Sequence, residues 1–286
     1  MRNAGNLRGA ALMSAGAVIF ACEALVLRWL TLRGVPVEVQ LAARASGQLI
    51  WVLPIIAARG PRVFATQRAT MHVLRALSSL ATWGLYYLSL SRLELATASA
   101  LSFTNVVFTS LLAGPVLGEK VDRARWAGAL IGLAGIAVML RPGGGADTLG
   151  ALAGLGGAVA WCGITMTSRS LTRTDGTATI LAWVGVVTFS GALPFAIRAW
   201  EPIGGPEWIV MIVLSLLTPS LIWIVTEALR SGEASAVSPF QYLRLPLLAV
   251  LGWLVYGELP DGWSWLGAAV ILSGALIVTL SEARKA

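Results

Sequence analysis

The sequence predicts an all-α integral membrane protein with ten transmembrane helices arranged as two inverted five-helix repeats. Three observations predict this class. The 286 residues are 57% hydrophobic and only 12% charged, whereas soluble domains carry about 25% charged residues. The apolar runs suffice for ten spans, since each span needs about 20 residues. The two halves of the chain also resemble one another.

The apolar runs set the predicted helix bounds. We predict helices over residues 8–29, 38–58, 71–92, 94–117, 124–140, 149–169, 178–199, 208–230, 233–256 and 263–281. Strands are not predicted, because the runs lack the period-2 alternation of a membrane β-barrel. The links between runs are short, so no separate soluble domain is expected.

An internal repeat relates the two halves of the chain. The pairs at an offset of 139 residues are Glu94 with Glu233, Ser99 with Ser238, Gly118 with Gly257, Glu119 with Glu258, Trp126 with Trp265, Gly128 with Gly267 and Gly135 with Gly274. Earlier in each half the offset is 141, as for Arg28 and Arg169. We therefore predict a first repeat at 1–140, a linker at 141–147 and a second repeat at 148–286. Five helices are an odd number, so the second copy enters the membrane inverted.

The basic residues predict the orientation of the chain. With the N-terminus inside, fourteen of the 21 basic residues fall on the cytoplasmic side and five outside, while Arg44 and Arg244 lie within the membrane. The positive-inside rule then places both termini of a multi-pass membrane protein in the cytoplasm. The net charge of +7 thus reflects topology rather than a nucleic-acid partner. The lipid bilayer is the expected surrounding, and the sequence leaves monomer or homodimer open.

Two segments carry a family resemblance: LSRLELATASALSFTNVVFTSLLAGPVLGEKVDRARWAGALIGLAGIAVMLRPG at 89–143 and EASAVSPFQYLRLPLLAVLGWLVYGELPDGWSWLGAAVILSGALIV at 233–278. They resemble the drug/metabolite transporter superfamily, specifically its EamA-type members with ten helices. Members commonly carry a proline near Asn105, and this chain instead has Pro115 further on. An acid in the first helix, Arg44 in the second and Pro-Phe-Gln-Tyr-x-Arg in the ninth are similar to bacterial members that handle S-adenosylmethionine or riboflavin-like metabolites. Substrates vary widely among such families.

Two pairs of intramembrane charges are predicted from their depth along the helices, at about 1.5 Å per residue. Glu23 and Arg44 share a level toward the outer side, and Arg75 and Glu227 share a level toward the inner side. Each pair is either a structural ion pair that offsets the cost of burial or a gating or coupling element.

A substrate site is predicted at the membrane midplane around Arg244, because the repeat mate of Arg244 is Asn105 and inverted-repeat carriers hold substrate where the repeats meet. An arginine there suits a planar or carboxylate-bearing metabolite, although it could instead pair with Glu23. The further candidate contacts are Gln241, Tyr242, Phe103, Trp83, Tyr86, Tyr87 and Trp161.

The resulting functional hypothesis is a secondary carrier that moves a small organic metabolite by alternating access. The rivals are a membrane-embedded lipid-modifying enzyme and a non-catalytic scaffold. We predict no catalytic residue, no metal and no cofactor, because the sequence lacks an Asp-rich cluster, a Walker loop and a nucleophile beside a base. His72, the single histidine, is predicted to be solvated at the cytoplasmic start of the third helix.

Overall fold

A computed structural model describes residues 2–105, 107–109, 112, 123–140, 147–171, 173–231 and 238–283. Every regular element in this part of the chain is helical. The predicted linker lies outside the described residues except for Asp147. The far end of the predicted fourth helix, with Glu119, and the first residues of the predicted ninth also lie outside them.

The helices follow the predicted bounds closely except in two places. They are α1 (Arg2–Leu32), α2 (Val37–Arg59), α3 (Ala69–Arg92), α4 (Leu95–Ser102), α5 (Arg123–Leu140), α6 (Thr148–Leu171), α7 (Thr177–Arg198), α8 (Gly205–Ser231), α9 (Arg244–Tyr256) and α10 (Gly262–Ala283). Short 3-10 helices at Gly60–Phe64 and Ser238–Leu243 follow α2 and precede α9.

The fourth and ninth predicted helices are not continuous, and this corrects the prediction. The α-helix α4 ends at Ser102, and α9 begins only at Arg244, after a 3-10 turn. Pro246 favours a helix start here, because the first turn leaves its N–H groups unpaired. Near the end of α4, the Ser102 and Thr104 hydroxyls bond to carbonyls three residues earlier, which competes with regular helix. Phe103 and Tyr242, at the two interruptions, are repeat mates.

The helix contacts between the halves come in pairs that exchange under the repeat. Helix α3 packs on α6, and their mates α8 and α1 pack on each other. Helices α2 and α7, α4 and α9, and α5 and α10 are themselves mates, and each pair is in contact. This is the contact pattern expected of two copies related by an approximate two-fold axis.

Backbone meets backbone where α5 packs on α10. A Cβ on Gly135 would lie 2.9 Å from the Gly267 carbonyl oxygen, and one on its mate Gly274 would lie 2.5 Å from the Gly128 carbonyl oxygen. Small residues permit such close approach between membrane helices. The glycine seam formed by Gly128, Gly135, Gly267 and Gly274 therefore joins the halves.

Five segments are long and apolar enough to cross a membrane: Leu7–Leu32, Val37–Phe64, Thr148–Ser168, Thr177–Arg198 and Gly205–Val225. Shorter apolar helices lie at Leu95–Thr109, Trp126–Val138, Phe240–Tyr256 and Gly262–Ile277. The protein is a multi-pass membrane protein, while ten spans stay a prediction.

Candidate functional site

A small cavity lies where the two halves meet, at the start of α9. Its lining comes from α1, α3, α4, α6 and α9, through Phe20, Thr82, Trp83, Tyr86, Ser102, Gly154, Gly157, Ala158, Trp161 and Arg244. Its volume is about 10 Å³, which is room for about one water molecule. The structure therefore has no space for an organic metabolite here without movement of the lining.

Arg244 is the charged residue of this cavity. The side chain begins α9 and is buried, with 9% exposed. Its Nη2 donates to the Ser102 hydroxyl at 3.2 Å, and its guanidinium lies over the Phe103 ring at 3.8 Å and the Phe20 ring at 4.5 Å from the centroids. Within the described residues it makes no ion pair, and its Nε has no hydrogen-bond partner. This buried N–H can donate a hydrogen bond to an oxygen or nitrogen atom of a ligand.

Aromatic rings form the wall opposite Arg244. The Trp83 ring contacts Trp161 at 5.7 Å and Tyr86 at 6.1 Å, both edge to face. Phe20 joins this group at 5.8 Å from Tyr86, and the Tyr86 hydroxyl is hydrogen-bonded to Ser99. A cation beside stacked rings is a chemistry that binds flat, polar-edged molecules.

The ion pair between Glu23 and Arg44 is confirmed. Arg44 Nη1 lies 3.2 Å from Glu23 Oε1, and both residues are almost fully buried. The same carboxylate oxygen accepts hydrogen bonds from Thr218 at 3.1 Å and Tyr87 at 3.2 Å. Glu23 therefore pairs with Arg44 rather than with Arg244.

This ion pair adjoins the cavity. The Arg44 guanidinium stands 3.4 Å from the centroid of Trp83, whose ring lines the cavity. The Trp83 side chain in the cavity wall is thus in direct contact with the buried ion pair.

The predicted pair between Arg75 and Glu227 is wrong. Arg75 donates to the Ser168 hydroxyl at 2.7 Å, while Glu227 pairs with Arg8 at 3.4 Å. Helix α3 packs on α6, and α8 packs on α1, so the two side chains face different neighbours. The position of a residue along its helix does not give the direction in which its side chain points.

The other predicted contacts lie at different distances from the cavity. Tyr242 contacts Phe103 with the two rings tilted and their centroids 5.1 Å apart, and it does not line the cavity. Gln241 is half-buried in the 3-10 helix before α9. Asn105 is half-buried too, and its backbone carbonyl faces the Cys162 thiol at 3.8 Å. It does not line the cavity, so a direct role for Asn105 stays a prediction.

Sequence reasoning missed six residues that line the cavity, among them Phe20 and Ser102, and it also missed Thr218 beside Glu23. Phe20 precedes Glu23 by three positions and therefore shares its helical face. Ser102, which holds Arg244, is the repeat mate of Gln241. Thr218 precedes the helix-interior Pro219. Position relative to an already identified residue was the available signal in each case.

A larger groove of about 600 Å³ lies elsewhere, between α2, α7 and α8. Its lining is apolar except for Ser46 and Ser215, and both hydroxyls already donate to the Ala43 carbonyl at 2.7 Å. The groove contains no charged side chain. It therefore offers little to orient a polar metabolite, and the smaller cavity is the better candidate.

Two contacts at corresponding places in the repeat join the ends of neighbouring helices. At one end Arg33, after α1, lies 3.4 Å from Glu207 in the first turn of α8. At the other, Arg68, before α3, donates to the Ser170 carbonyl at 2.9 Å and to the Thr174 hydroxyl at 3.4 Å. The repeat places Thr174 where Arg33 stands, at the offset of 141 residues. Because α1 and α6 are mates, as are α8 and α3, the two contacts lie at corresponding places and have different chemistry.

His72 is not solvated, which corrects the prediction. Its side chain has no exposed surface, its ring stacks on Trp183 at 5.7 Å, and Nε2 lies 3.5 Å from an Asp175 carboxylate oxygen. The start of α7 covers the ring. Hydrogen bonds, chiefly from the Thr174 hydroxyl, hold the pKa of Asp175 below its usual value.

Comparison with known proteins places these features in context. The sequence matches the EamA-like transporter family over residues 7–141 and 148–280. It is 28% identical to a riboflavin transporter of Vibrio cholerae, over 98% of this chain and 95% of that protein. It is 29% identical to a riboflavin transporter of Rhizobium johnstonii, over 97% and 92% of the two chains.

Two further matches are more distant. The chain is 25% identical to an S-adenosylmethionine uptake transporter of Rickettsia prowazekii, over 82% of this chain and 80% of that one. A solved crystal structure with 23% identity superposes with a TM-score of 0.62, over 100% of this chain and 99% of the other. That likeness concerns the fold.

Proposed function

Because the chain belongs to the EamA-like transporter family and is a transporter rather than an enzyme, we propose that it carries a small organic metabolite with a planar ring. Similar proteins are named for riboflavin and for S-adenosylmethionine. Both molecules contain a flat nitrogen heterocycle with hydrogen-bonding edges. The chemistry of the cavity suits this shared feature, and it does not distinguish the two compounds.

The observation that carries the proposal is the buried guanidinium of Arg244 between aromatic rings, with Nε unpartnered among the described residues. A structural arginine at this depth would normally satisfy its donors within the protein, because an unmet buried donor costs about 1–3 kcal/mol. A substrate carbonyl, ring nitrogen or carboxylate supplies the missing acceptor. Trp83, Tyr86 and Trp161 stack against its flat face.

Transport proceeds by alternating access in this proposal. The repeats, 1–140 and 148–286, lie inverted in the bilayer, with both termini in the cytoplasm. The exchanged helix contacts support the two-fold relation, and substrate is held near the midplane between Arg244 and the region of Asn105. The small cavity corresponds to a state in which neither side admits substrate.

The paired end contacts act as the gates. Opening one side separates Arg33 from Glu207, and opening the other separates Arg68 from the loop after α6. The Arg33 side chain is 56% exposed, and a surface ion pair contributes about 0–1 kcal/mol, so this contact is weak enough to break during transport. The Glu23–Arg44 pair, in contact with Trp83, links the occupied cavity to this motion as a gating or coupling element.

The test is flux into proteoliposomes that contain wild-type protein, Arg244→Ala or Arg244→Lys. Riboflavin and S-adenosylmethionine are the tracers. We expect wild-type protein to move at least one tracer. Arg244→Ala should reduce uptake about 100-fold, which corresponds to the loss of a charged hydrogen bond worth about 3 kcal/mol. Arg244→Lys should restore uptake in part. Arg198→Ala, at the exposed end of α7, is the matched control. Wild-type affinity in the Arg244→Ala variant would exclude the proposed anchor.

A further inference from the structure

Phe20 fills the space beside Arg244 that a substrate ring needs. Its side chain is buried and lines the small cavity from α1, across the interface from α9. Its ring touches Trp83 and Tyr86 at centroid distances of 6.5 and 5.8 Å, and Arg244 at 4.5 Å. These are the wall and the anchor of the proposed site, so Phe20 already makes the contacts that a flat ligand would make.

The other rings of the cavity are held by additional contacts. Trp83 lies against Arg44, and the Tyr86 hydroxyl is bonded to Ser99. Phe103 is only 1% exposed, and its ring lies 5.1 Å from Tyr242 and 3.8 Å from the Arg244 guanidinium. Phe20 has no polar atom with which to form a hydrogen bond, and its distances to Tyr86, Trp83 and Arg244, at 5.8, 6.5 and 4.5 Å, are longer than those of Phe103. It is the ring that can leave at least cost.

A phenyl ring also fails to satisfy Arg244. It offers a π face to the guanidinium but no acceptor to the buried Nε, which has no partner in the described part of the chain. A heterocycle in the same place offers the same π face together with a ring nitrogen or carbonyl oxygen. The exchange of rings therefore adds a hydrogen bond to a charged donor, an interaction of about 1.5–3 kcal/mol.

We infer that Phe20 is an internal stand-in for the substrate: its ring occupies the place of the planar heterocycle and swings out when substrate enters. This inference rests on the proposed function, because it concerns the same cavity. Phe20 selects for ligands that bind Arg244 better than a phenyl ring does. Flat molecules with an acceptor at the edge enter, while purely apolar rings gain nothing over Phe20.

The experiment removes the Phe20 ring and measures whether a free aromatic molecule binds in the cavity that is left. Engineered cavities of roughly 150 Å³ left by truncating a core side chain bind benzene in other proteins. Purified Phe20→Ala, wild-type protein and Phe189→Ala are titrated with indole, and binding is read from the rise in Tm. Phe189, on α7, packs against the same hydrophobic core but does not line the cavity, so it is the matched truncation. Phe20→Leu serves if the alanine variant does not fold.

We expect indole to bind Phe20→Ala at least about tenfold more tightly than wild-type protein, because no ring must be displaced first. Equal affinity, or the same gain in Phe189→Ala, would overturn the inference. Riboflavin or S-adenosylmethionine should bind Phe20→Ala as tightly as wild-type protein or more tightly, and about tenfold weaker binding would make Phe20 a permanent wall instead. If wild-type protein binds neither compound, the proposed substrate class fails, while the indole comparison still decides the role of Phe20.

Discussion

Replacing Arg44 by Met tests whether the buried ion pair stabilises the fold as its geometry implies. The change leaves Glu23, which is 2% exposed, with hydroxyl donors from Tyr87 and Thr218 but no cation. Removing one partner of a buried pair typically costs about 3–5 kcal/mol. The two hydroxyls remain, and Met can pack on Trp83 in place of the guanidinium. We therefore expect the loss of folding stability to lie at the low end of this range, at about 3 kcal/mol.

The assay is thermal unfolding in lipid nanodiscs, followed by the fluorescence of the twelve tryptophans. At about 2–4 °C per kcal/mol for a chain of this size, Tm should fall by about 6–12 °C. Glu23→Gln should cause a similar fall, because it leaves Arg44 charged and buried without a counter-ion. The double variant should recover more than half of the loss, since neither charge then remains. Arg198→Met, on an exposed helix end, should leave Tm unchanged.

The reasoning is refuted if Arg44→Met lowers Tm by less than about 2 °C, or if the double variant is no more stable than either single variant. In that case the pair would be energetically neutral and its placement would need a different reason. Uptake by the same variants separates stability from transport. A folded Glu23→Gln with an altered pH dependence of uptake would identify Glu23 as the coupling group.

Two further predictions concern other parts of the fold. Gly274→Ala should lower Tm, although alanine favours helix over glycine by about 0.5–1 kcal/mol, because the added Cβ would lie 2.5 Å from the Gly128 carbonyl oxygen. The control is Gly262→Ala, whose Cβ meets open space. An equal Tm for the two variants would contradict the close packing. Asp147 accepts a hydrogen bond from the Gly150 N–H and pairs with Arg92. The hydrogen bond from Gly150 is the main cause that lowers the pKa of Asp147 in the folded protein. The contribution of Asp147 to folding stability is therefore present above the usual Asp pKa of about 3.9 and is lost as pH falls through the lower folded pKa. Asp147→Asn should flatten the decline of Tm below about pH 5, and an unchanged slope would show that Asp147 makes no such contribution.

The sequence predicted those features that depend on period and depth. Helix bounds followed from apolar length, and the Glu23–Arg44 pair followed from matched levels on consecutive helices. In each case one coordinate along the helix was enough to identify the partner.

Features that depend on the direction of a side chain could not be predicted in this way. Arg75 and Glu227 share a depth but face different helices, and Arg8 was the nearer partner for Glu227. The burial of His72 depended on where α7 packs, which no local pattern contains. Phe20 looked like any apolar residue of a membrane helix until its contact with Arg244 was seen.

The glycine seam also bears on how the two copies could diverge after duplication. A side chain introduced there meets main chain, which cannot rotate aside, so a change in one copy is not absorbed by a compensating change in the other. Gly128 and Gly267, and Gly135 and Gly274, are still identical. Arg244, which lines the cavity, differs from its repeat mate Asn105. The close backbone packing of the seam thus keeps the two repeats alike there, whereas the cavity, where side chains meet side chains, allows one repeat to acquire a ligand preference that the other lacks.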